Sequence, residues 1–240
     1  MQPEWAAPAS VGALMSTREG GVSAAPWDSL NLGVAVGDDP AAVAENRRRF
    51  ARALGAEPVW LRQVHGARVV RAGTDTDLVA DAAWTDARGI ACVVQVADCL
   101  PVLLARRDGA AVAAAHAGWR GLAGGVLEAT VQALCAGTGC LPAELVAWLG
   151  PCIGPGRFEV GADVLAAFPQ APDRFVFRPR PDGAERWLAD LPGLARDRLQ
   201  AAGVSAIAGG GWCTVEDRTR FFSFRRDGTT GRMAAAVWRR

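Results

Sequence analysis

The sequence has no lysine, no tyrosine and only two histidines among its 240 residues. All of its basic side chains are therefore arginines, and their balance with the acidic residues leaves a formal net charge of +1. A chain so close to neutral lacks the overall basic character that favours binding to nucleic acid or to an acidic membrane surface. We therefore expect no nucleic-acid partner and no membrane partner.

Long uninterrupted apolar stretches are also absent. The most apolar segment, residues 90–105, contains Asp98 and Pro101 and is too short to span a bilayer. Residues 1–15 lack the basic region and the long apolar region of a secretory signal. Six cysteines in a chain of this length do not indicate a disulfide scaffold. Together these features predict a cytoplasmic protein, and they leave its oligomeric state open.

Half of the residues are apolar, which is enough to build a large core. No linker, low-complexity segment or internal repeat divides the chain, so we expect residues 1–240 to form a single domain. Predicted strands and helices are mixed without strict alternation of strand and helix. This order favours mixed β-sheets with helices packed outside them.

The clearest predicted helix begins after Asp39 and ends before Gly55. Asp39 is a favourable N-cap, Pro40 suits the first helical position and Gly55 suits the C-terminal stop. Arg47 falls on the apolar face of this helix, where a guanidinium group needs a partner. The pattern allows a snorkelling or salt-bridged arginine, or an arginine directed into a pocket to hold an anion.

Further elements follow from short apolar runs and turn residues. Strands are predicted at 12–17, 90–97, 101–106, 110–116 and 145–150, and helices at 121–136, 161–168 and 187–202. The segment "WLRQVHGARVV" predicts two strands joined by a tight turn at Gly66. Residues 211–238 predict strands around "RRDGTTGR".

Three side chains that bind transition metals lie at the ends of predicted strands. His65 and His116 each stand where a strand gives way to glycine, and Cys99 stands at the break between two strands. Two imidazoles and a thiolate leave one position of a tetrahedral zinc site open, as in catalytic zinc sites. Their spacing matches no local zinc motif, so two hydrogen-bonded histidines and a buried, inert thiol remain the alternative.

The same residues allow other chemistry. Cys99 and His116 could form the thiolate–imidazolium pair of a cysteine hydrolase. The Asp98 carboxylate could accept a hydrogen bond from either histidine and so orient its ring, or it could simply cap the turn between the two strands.

Six motifs, taken in order, resemble those of the bacterial YfiH-like family, which is also described as a polyphenol oxidase or laccase-domain family and as a purine nucleoside phosphorylase family. The resemblance runs from about residue 12 to residue 238. The motifs are "STREGGVS…SLNLG…VGDDP…ENRRR", "RQVHG", "VADCLPVLL", "AAAHAGWRGLAGGV", "LGPCIGPGRFEVG" and "CTVEDRTRFFSFRRDGTTGR".

The resemblance implies an α/β (α+β) fold, a single-domain sandwich of mixed β-sheets flanked by helices. It implies a zinc site formed by His65, Cys99 and His116. It also implies phosphorolysis of adenosine, inosine or methylthioadenosine, with deamination of adenosine in some members. Family arginines correspond to Arg47 and Arg18, which we expect to bind phosphate, and Asp98 is the acid available for proton transfer beside the metal ligands. Family members tend to carry a histidine before "VGDD". Ala35 occupies that position here, so any role of that histidine is absent or carried elsewhere.

The expected protein is therefore a zinc-dependent purine nucleoside phosphorylase acting on a small nucleoside and phosphate, with adventitious copper binding allowed. Two alternatives remain: a cysteine or zinc hydrolase that edits peptidoglycan precursors, and a nucleoside-binding protein without turnover. True laccase chemistry is excluded, because two histidines cannot supply the imidazoles of blue and trinuclear copper centres.

Overall fold

The structure, a computed structural model, describes residues 1–240 and contains thirteen strands and six α-helices. The strands are β1 (Val11–Met15), β2 (Glu57–Trp60), β3 (Val69–Arg71), β4 (Ala82–Thr85), β5 (Ile90–Val96), β6 (Leu100–Arg106), β7 (Val112–Ala117), β8 (Leu145–Leu149), β9 (Glu159–Val160), β10 (Phe175–Phe177), β11 (Trp187–Ala189), β12 (Ala206–Gly209) and β13 (Met233–Arg239). The helices are α1 (Pro40–Leu54), α2 (Trp119–Ala123), α3 (Val126–Thr138), α4 (Ala162–Ala166), α5 (Leu191–Ala201) and α6 (Phe224–Asp227). None of these helices combines the length and the apolar character needed to cross a membrane.

The strands form three sheets. Four strands form the first sheet in the order β1–β13–β5–β2, and six form the second in the order β12–β8–β6–β7–β4–β3. A small sheet has the order β10–β11–β9. Both large sheets contain parallel and antiparallel pairs, since β2 runs parallel to β5 and β3 parallel to β4, whereas β13 and β7 pair antiparallel to their neighbours. The predicted mixed sheets are therefore confirmed.

Alternate residues of the central strands point into different cores, as the two-residue period of a strand requires. In β5, Cys92, Val94 and Val96 belong to the core between the two large sheets. Ala91 and Val93 lie on the opposite face of the strand, in the core that α1 covers. The outer face of the second sheet packs against α3 and α5. The result is a sandwich of two sheets flanked by helices, as predicted.

The predicted helix after Asp39 is confirmed as α1. The Asp39 carboxylate accepts a hydrogen bond from the Ala41 amide, and Gly55 ends the helix in the left-handed conformation. Two other helix boundaries differ from the prediction. The predicted helix 121–136 is divided between α2 and α3 at the pair Gly124–Gly125, and the first residues of the predicted helix 187–202 form β11 instead.

Of the strands predicted around "RRDGTTGR" within residues 211–238, the one after this segment is confirmed as β13 and the one before it is wrong. Only β13 is a strand there, and Cys213 makes a single isolated bridge to Cys152. Residues 224–227 form the short helix α6, because the Ser223 hydroxyl caps it by accepting a hydrogen bond from the Arg226 amide.

Candidate metal centre and its cleft

His65 lies in the loop between β2 and β3, where the sequence predicted a tight turn between two strands. That prediction is wrong, because a buried carboxylate holds the loop open. Asp81 accepts hydrogen bonds from the amides of Val64 (3.1 Å), His65 (2.9 Å) and Gly66 (2.7 Å). His65 itself has a φ of 60°, a left-handed conformation that these three bonds maintain.

Cys99 follows Asp98 in the turn that joins β5 to β6. Asp98 has a φ of 87°, and its carboxylate accepts hydrogen bonds from the Thr214 hydroxyl (2.6 Å) and the Arg225 amide (2.7 Å). Its carbonyl accepts a third hydrogen bond from the Ile153 amide (2.9 Å). Asp98 thus ties three separate segments to the turn that carries the thiol.

His116 is a buried residue of β7, with only 3% of its surface exposed. Its Nδ1 atom lies 2.8 Å from Oδ1 of Asp81, and its amide donates to the Asp81 carbonyl at 2.7 Å. An imidazole that donates from Nδ1 to a carboxylate presents its Nε2 on the other side, where in the neutral ring it carries a free lone pair. The His116 ring is therefore oriented as a ligand.

These three residues converge although they are far apart in the sequence. One ligand atom from each of His65, Cys99 and His116 lies within 4.8 Å of the other two, so the group could hold a metal ion. The Cys99 Sγ atom is 3.9 Å from Nε2 of His65, and the two imidazole rings meet edge to face with centroids 4.9 Å apart. The structure thus brings together the three ligands that the sequence predicted.

The charges at the centre favour a thiolate. Burial raises the pKa of Cys99, but the positive charge of His116 and hydrogen bonds from both histidines outweigh it and lower the pKa to about 6. Burial lowers the pKa of His116, whereas the Cys99 thiolate and Asp81 raise it to about 9. Burial also raises the pKa of Asp81, but its hydrogen bonds from His116 and the backbone outweigh this and lower it. Thiolate is the form in which cysteine binds metals or acts as a nucleophile.

The three candidate metal ligands open into a cleft of about 520 Å³. Its wall includes apolar residues from the loop before α1 and from β5, together with Phe224, Gln63 and Gln95. Two arginines, Arg62 and Arg232, also line it, and no aspartate or glutamate does. The wall of the cleft therefore combines apolar side chains with two positive charges. Ala35, where the resemblance implies a histidine in other family members, is part of this wall.

The two arginines predicted to bind phosphate do not line this cleft. Arg47 donates from Nε to the Leu32 carbonyl (2.9 Å) and from Nη2 to the Gln95 side chain (3.3 Å), and its guanidinium lies 4.0 Å from the centre of the Trp60 ring. Burial lowers the pKa of Arg47 to about 10. Arg47 thus points inward, as the helical pattern indicated, and it contacts the cleft through Gln95.

Arg18 lies in a different cavity. It donates to the carbonyl and the carboxylate of Asp28 and to the Arg218 carbonyl, and its guanidinium lies 4.8 Å from the centre of the Phe222 ring. The cavity that it lines contains no hydrophobic residue.

Sequence reasoning missed two residues that shape this centre. Asp81 contacts both histidine segments, yet in "VADAAW" it reads as an ordinary acid before an apolar strand. Gly118 packs so closely against the ligands that a Cβ atom there would lie 2.8 Å from Cys99 Sγ. The only sequence signal for Gly118 was its position two residues after His116.

Comparisons with known proteins place the chain in a family. The family model described as "Multi-copper polyphenol oxidoreductase laccase" matches residues 12–240. Purine nucleoside phosphorylase PA4543 of Pseudomonas aeruginosa is 54% identical over 99% of this chain and 97% of its own length. Purine nucleoside phosphorylase YfiH of Escherichia coli K12 is 48% identical over 98% of this chain and 97% of its own length.

A solved structure gives the same result. The crystal structure of Neisseria meningitidis protein NMB0706 shares 47% sequence identity and superimposes with a TM-score of 0.90, covering 100% of this chain and 98% of that one. These similarities confirm the resemblance that the six motifs indicated. The chain belongs to the family described as multi-copper polyphenol oxidoreductase laccase, which includes YfiH-like proteins.

Proposed function

We propose that this chain is a metal-dependent purine nucleoside phosphorylase that uses phosphate to split adenosine, inosine or methylthioadenosine into a free base and a sugar 1-phosphate. The observation that carries the proposal is the cluster of His65, Cys99 and His116 in a cleft whose wall holds no carboxylate. Relatives that are 54% and 48% identical over nearly the whole chain are named purine nucleoside phosphorylases, which supports the same activity here.

The reaction sets clear requirements for the cleft. A phosphate oxygen forms a bond to C1′ of the sugar while the bond from C1′ to the purine N9 breaks. The electron pair of the broken bond leaves with the purine, which takes up a proton, and the sugar becomes oxocarbenium-like. Such a reaction needs an anion site, an apolar surface for the base and donors held in place for the developing charges. The cleft combines apolar residues such as Val34, Val36 and Phe224 with arginines.

Zinc is the metal that suits these donors. Two imidazoles and a thiolate leave the fourth position of a tetrahedral site open, and the bond from His116 Nδ1 to Asp81 leaves Nε2 of that ring for the ion. Zinc at this position supplies Lewis acidity and one exchangeable coordination position. Copper also binds nitrogen and sulfur donors tightly, so we interpret any copper in purified protein as adventitious. The family description refers to copper oxidases, but a chain with two histidines lacks the ligands for several copper centres.

Adenosine deamination is a lesser part of the proposal. That reaction requires a carboxylate for proton transfer, and Asp98 is the acid beside the ligands. Both Asp98 oxygens already accept hydrogen bonds, from Thr214 and from the Arg225 amide. We therefore assign Asp98 the positioning of the Cys99 turn, and its predicted role in proton transfer stays a prediction.

The decisive experiment is a nucleoside panel assayed with and without inorganic phosphate, using protein of measured zinc content. We expect ribose 1-phosphate from adenosine or inosine only when phosphate is present, and we expect Cys99→Ala and His65→Ala to lose both zinc and activity. Full activity and full zinc content in Cys99→Ala would overturn the proposal. Formation of inosine from adenosine without phosphate measures the deaminase activity in the same samples.

The low pKa of Cys99 and its pairing with His116 favour a cysteine hydrolase as the second candidate, with peptidoglycan precursors as the substrate class. The two candidates respond oppositely to two treatments. Removal of the metal by a chelator abolishes the activity of a zinc-dependent phosphorylase but not that of a thiol hydrolase. Activity that survives the chelator and disappears on thiol alkylation therefore identifies the hydrolase. Nucleoside binding without any product identifies a binding protein.

A further inference from the structure

We infer that Arg232 binds an oxyanion in the cleft, namely inorganic phosphate in the reaction proposed above, on which this inference rests. Arg232 immediately precedes β13 and was not among the predicted site residues. Three features support the assignment: the charge of the cleft wall, the anchoring of the Arg232 side chain, and the lack of a comparable free cation at Arg47 and Arg18.

The first feature is charge. Arg232 and Arg62 line the same cleft as Cys99 and His116, and that wall contains no acidic side chain. The cavity lined by Arg18 contains Glu19, Asp28 and Asp227, which compensate its arginines. An anion entering the cleft of Arg232 therefore meets two arginines and no carboxylate in the wall, and the Cys99 thiolate is paired with the positive charge of His116.

The second feature is anchoring. The Arg232 amide donates to Oδ1 of Asn31 (2.8 Å), and its Nη1 atom donates to the carbonyls of Thr230 (3.0 Å) and Gly231 (3.1 Å). Its stem passes so close to Gly33 that a Cβ atom there would lie 2.7 Å from Cγ of Arg232. Carbonyls hold the guanidinium in place without neutralising it, and they leave Nε and Nη2 free to donate to a ligand.

The position of Arg232 also suits the reaction. Its guanidinium lies 5.8 Å from the centre of the Phe224 ring, an aromatic residue that shares the cleft wall. Arg232 also lines the same cleft as His65, Cys99 and His116. A phosphate held by Arg232 therefore shares one cavity with the candidate metal ligands, and the wall of that cavity also offers apolar residues for the base.

The other two arginines are engaged elsewhere. Arg47 uses Nε and Nη2 for the Leu32 carbonyl and for Gln95, and its face stacks on Trp60. Arg18 is paired with Asp28. At both residues Nε and Nη2 already donate to protein groups, whereas those two atoms of Arg232 make no hydrogen bond within the protein.

The test compares substitutions that keep the length of the side chain. Arg232→Met removes the hydrogen-bond donors and the charge. Arg232→Lys keeps the charge but not the planar guanidinium group with its paired donors. Arg47→Met tests the competing assignment. Arg71→Met is the matched control, because Arg71 also lies over an aromatic ring, that of Trp84, but outside the cleft. For each variant we would measure the KM for phosphate and for adenosine, the affinity for inorganic phosphate by calorimetry without nucleoside, and the melting temperature.

We expect Arg232→Met to raise the KM for phosphate by roughly ten- to a hundredfold, the range for loss of charged hydrogen bonds. The KM for adenosine should change little, and Arg232→Lys should fall between wild type and Arg232→Met. The inference is overturned if folded Arg232→Met has an unchanged KM for phosphate. It is also overturned if the KM for phosphate rises in Arg47→Met instead. Phosphate binding through Arg232 in a wild type without phosphorolysis would instead refute the proposed function and leave this site standing.

Discussion

At the level of single residues, one buried carboxylate organises the candidate metal centre. Asp81 has none of its surface exposed and accepts four hydrogen bonds, three from the backbone at residues 64–66 and one from Nδ1 of His116. It therefore sets both the loop conformation of His65 and the ring orientation of His116. A carboxylate behind a histidine ligand is a common means of fixing the tautomer and strengthening metal binding.

Replacement of Asp81 by asparagine should weaken the centre while leaving all three ligands in place. The side-chain NH2 group of asparagine is a hydrogen-bond donor, and here it would face backbone amides that also donate. The loop that carries His65 therefore loses part of its hydrogen bonding. We expect zinc affinity to fall by roughly ten- to a hundredfold, measured by competition with a chromogenic chelator. The exposed Asp77→Asn serves as the control. Equal zinc affinity in Asp81→Asn and wild type would show that Asp81 does not position the ligands.

Gly118 offers a second test in which no polar group is changed. A Cβ atom at Gly118 would lie 2.8 Å from Cys99 Sγ and 3.2 Å from Cδ2 of His65. Gly118→Ala should therefore displace the ligands and reduce activity by roughly ten- to a hundredfold, as expected for a shift of about 1 Å at a reacting centre. Gly156→Ala is the matched control, because nothing lies within 4 Å of a Cβ atom there. Unchanged kcat/KM and zinc content in Gly118→Ala would contradict this account.

The residue types at the centre could be predicted, but their supporting contacts could not. His65, Cys99 and His116 carry side chains that metals prefer, and they stand at strand ends, so their chemistry and family motifs identify them. Asp81 and Thr214 act only through contacts that the tertiary structure creates. Thr214 reaches Asp98 across 116 residues of sequence. No local pattern distinguishes such residues from ordinary turn residues.

At the level of elements, α1 supports one wall of the cleft through the buried side-chain amide of Asn46. Asn46 accepts a hydrogen bond from the Val22 amide, and it donates to the Ser23 hydroxyl and to the carbonyls of Ser29 and Asn31. These contacts fasten the loop before α1 to the helix. Residues 33–36 of that loop line the cleft, so the hydrogen bonds of Asn46 connect α1 to one wall of the cleft.

Asn46→Ala should therefore affect both stability and substrate binding. Loss of the amide leaves the Val22 amide and the buried Asn31 carbonyl without this partner, and an unsatisfied buried group costs roughly 1–3 kcal/mol. We expect a lower midpoint of urea unfolding and a higher KM for the nucleoside, with a smaller change in kcat. Arg52→Ala on the exposed face of α1 is the control. A variant with wild-type KM would show that the loop keeps its conformation without Asn46.

Predictions of helices and strands succeeded where residues close in sequence determine the structure. They failed where contacts between distant residues determine it. Asp39, Pro40 and Gly55 mark the ends of α1 with their own side chains or backbone. Where a strand was predicted before "RRDGTTGR", Phe221 and Phe222 are buried in the core between the sheets within an irregular segment. Side chains satisfy that backbone, since the Arg226 guanidinium donates to the carbonyls of residues 214, 215 and 221.

At the level of the whole molecule, the centre lies where the two large sheets meet. β5 and β6 are consecutive in sequence, yet β5 pairs with β2 and β13 in the first sheet and β6 with β7 and β8 in the second. The crossing between the sheets occurs at Asp98 and Cys99. The sequence predicted mixed sheets with outer helices, but it could not assign strands to sheets, because two apolar strands separated by a short break also match a hairpin.

This placement predicts that metal binding stabilises the entire fold. The ligands come from the loop after β2 (His65), the β5–β6 turn (Cys99) and β7 (His116), so an ion joins segments of both sheets. A metal present at a hundred times its dissociation constant stabilises the native state by about 2.7 kcal/mol, which corresponds to roughly 5–10 °C in melting temperature for a chain of this size. We expect chelation to lower the melting temperature of wild type and of the control Cys135→Ser by this amount. Cys99→Ser should melt near the chelated value with or without zinc. An equal zinc-dependent shift in Cys99→Ser and wild type would mean that the stabilising ion binds elsewhere.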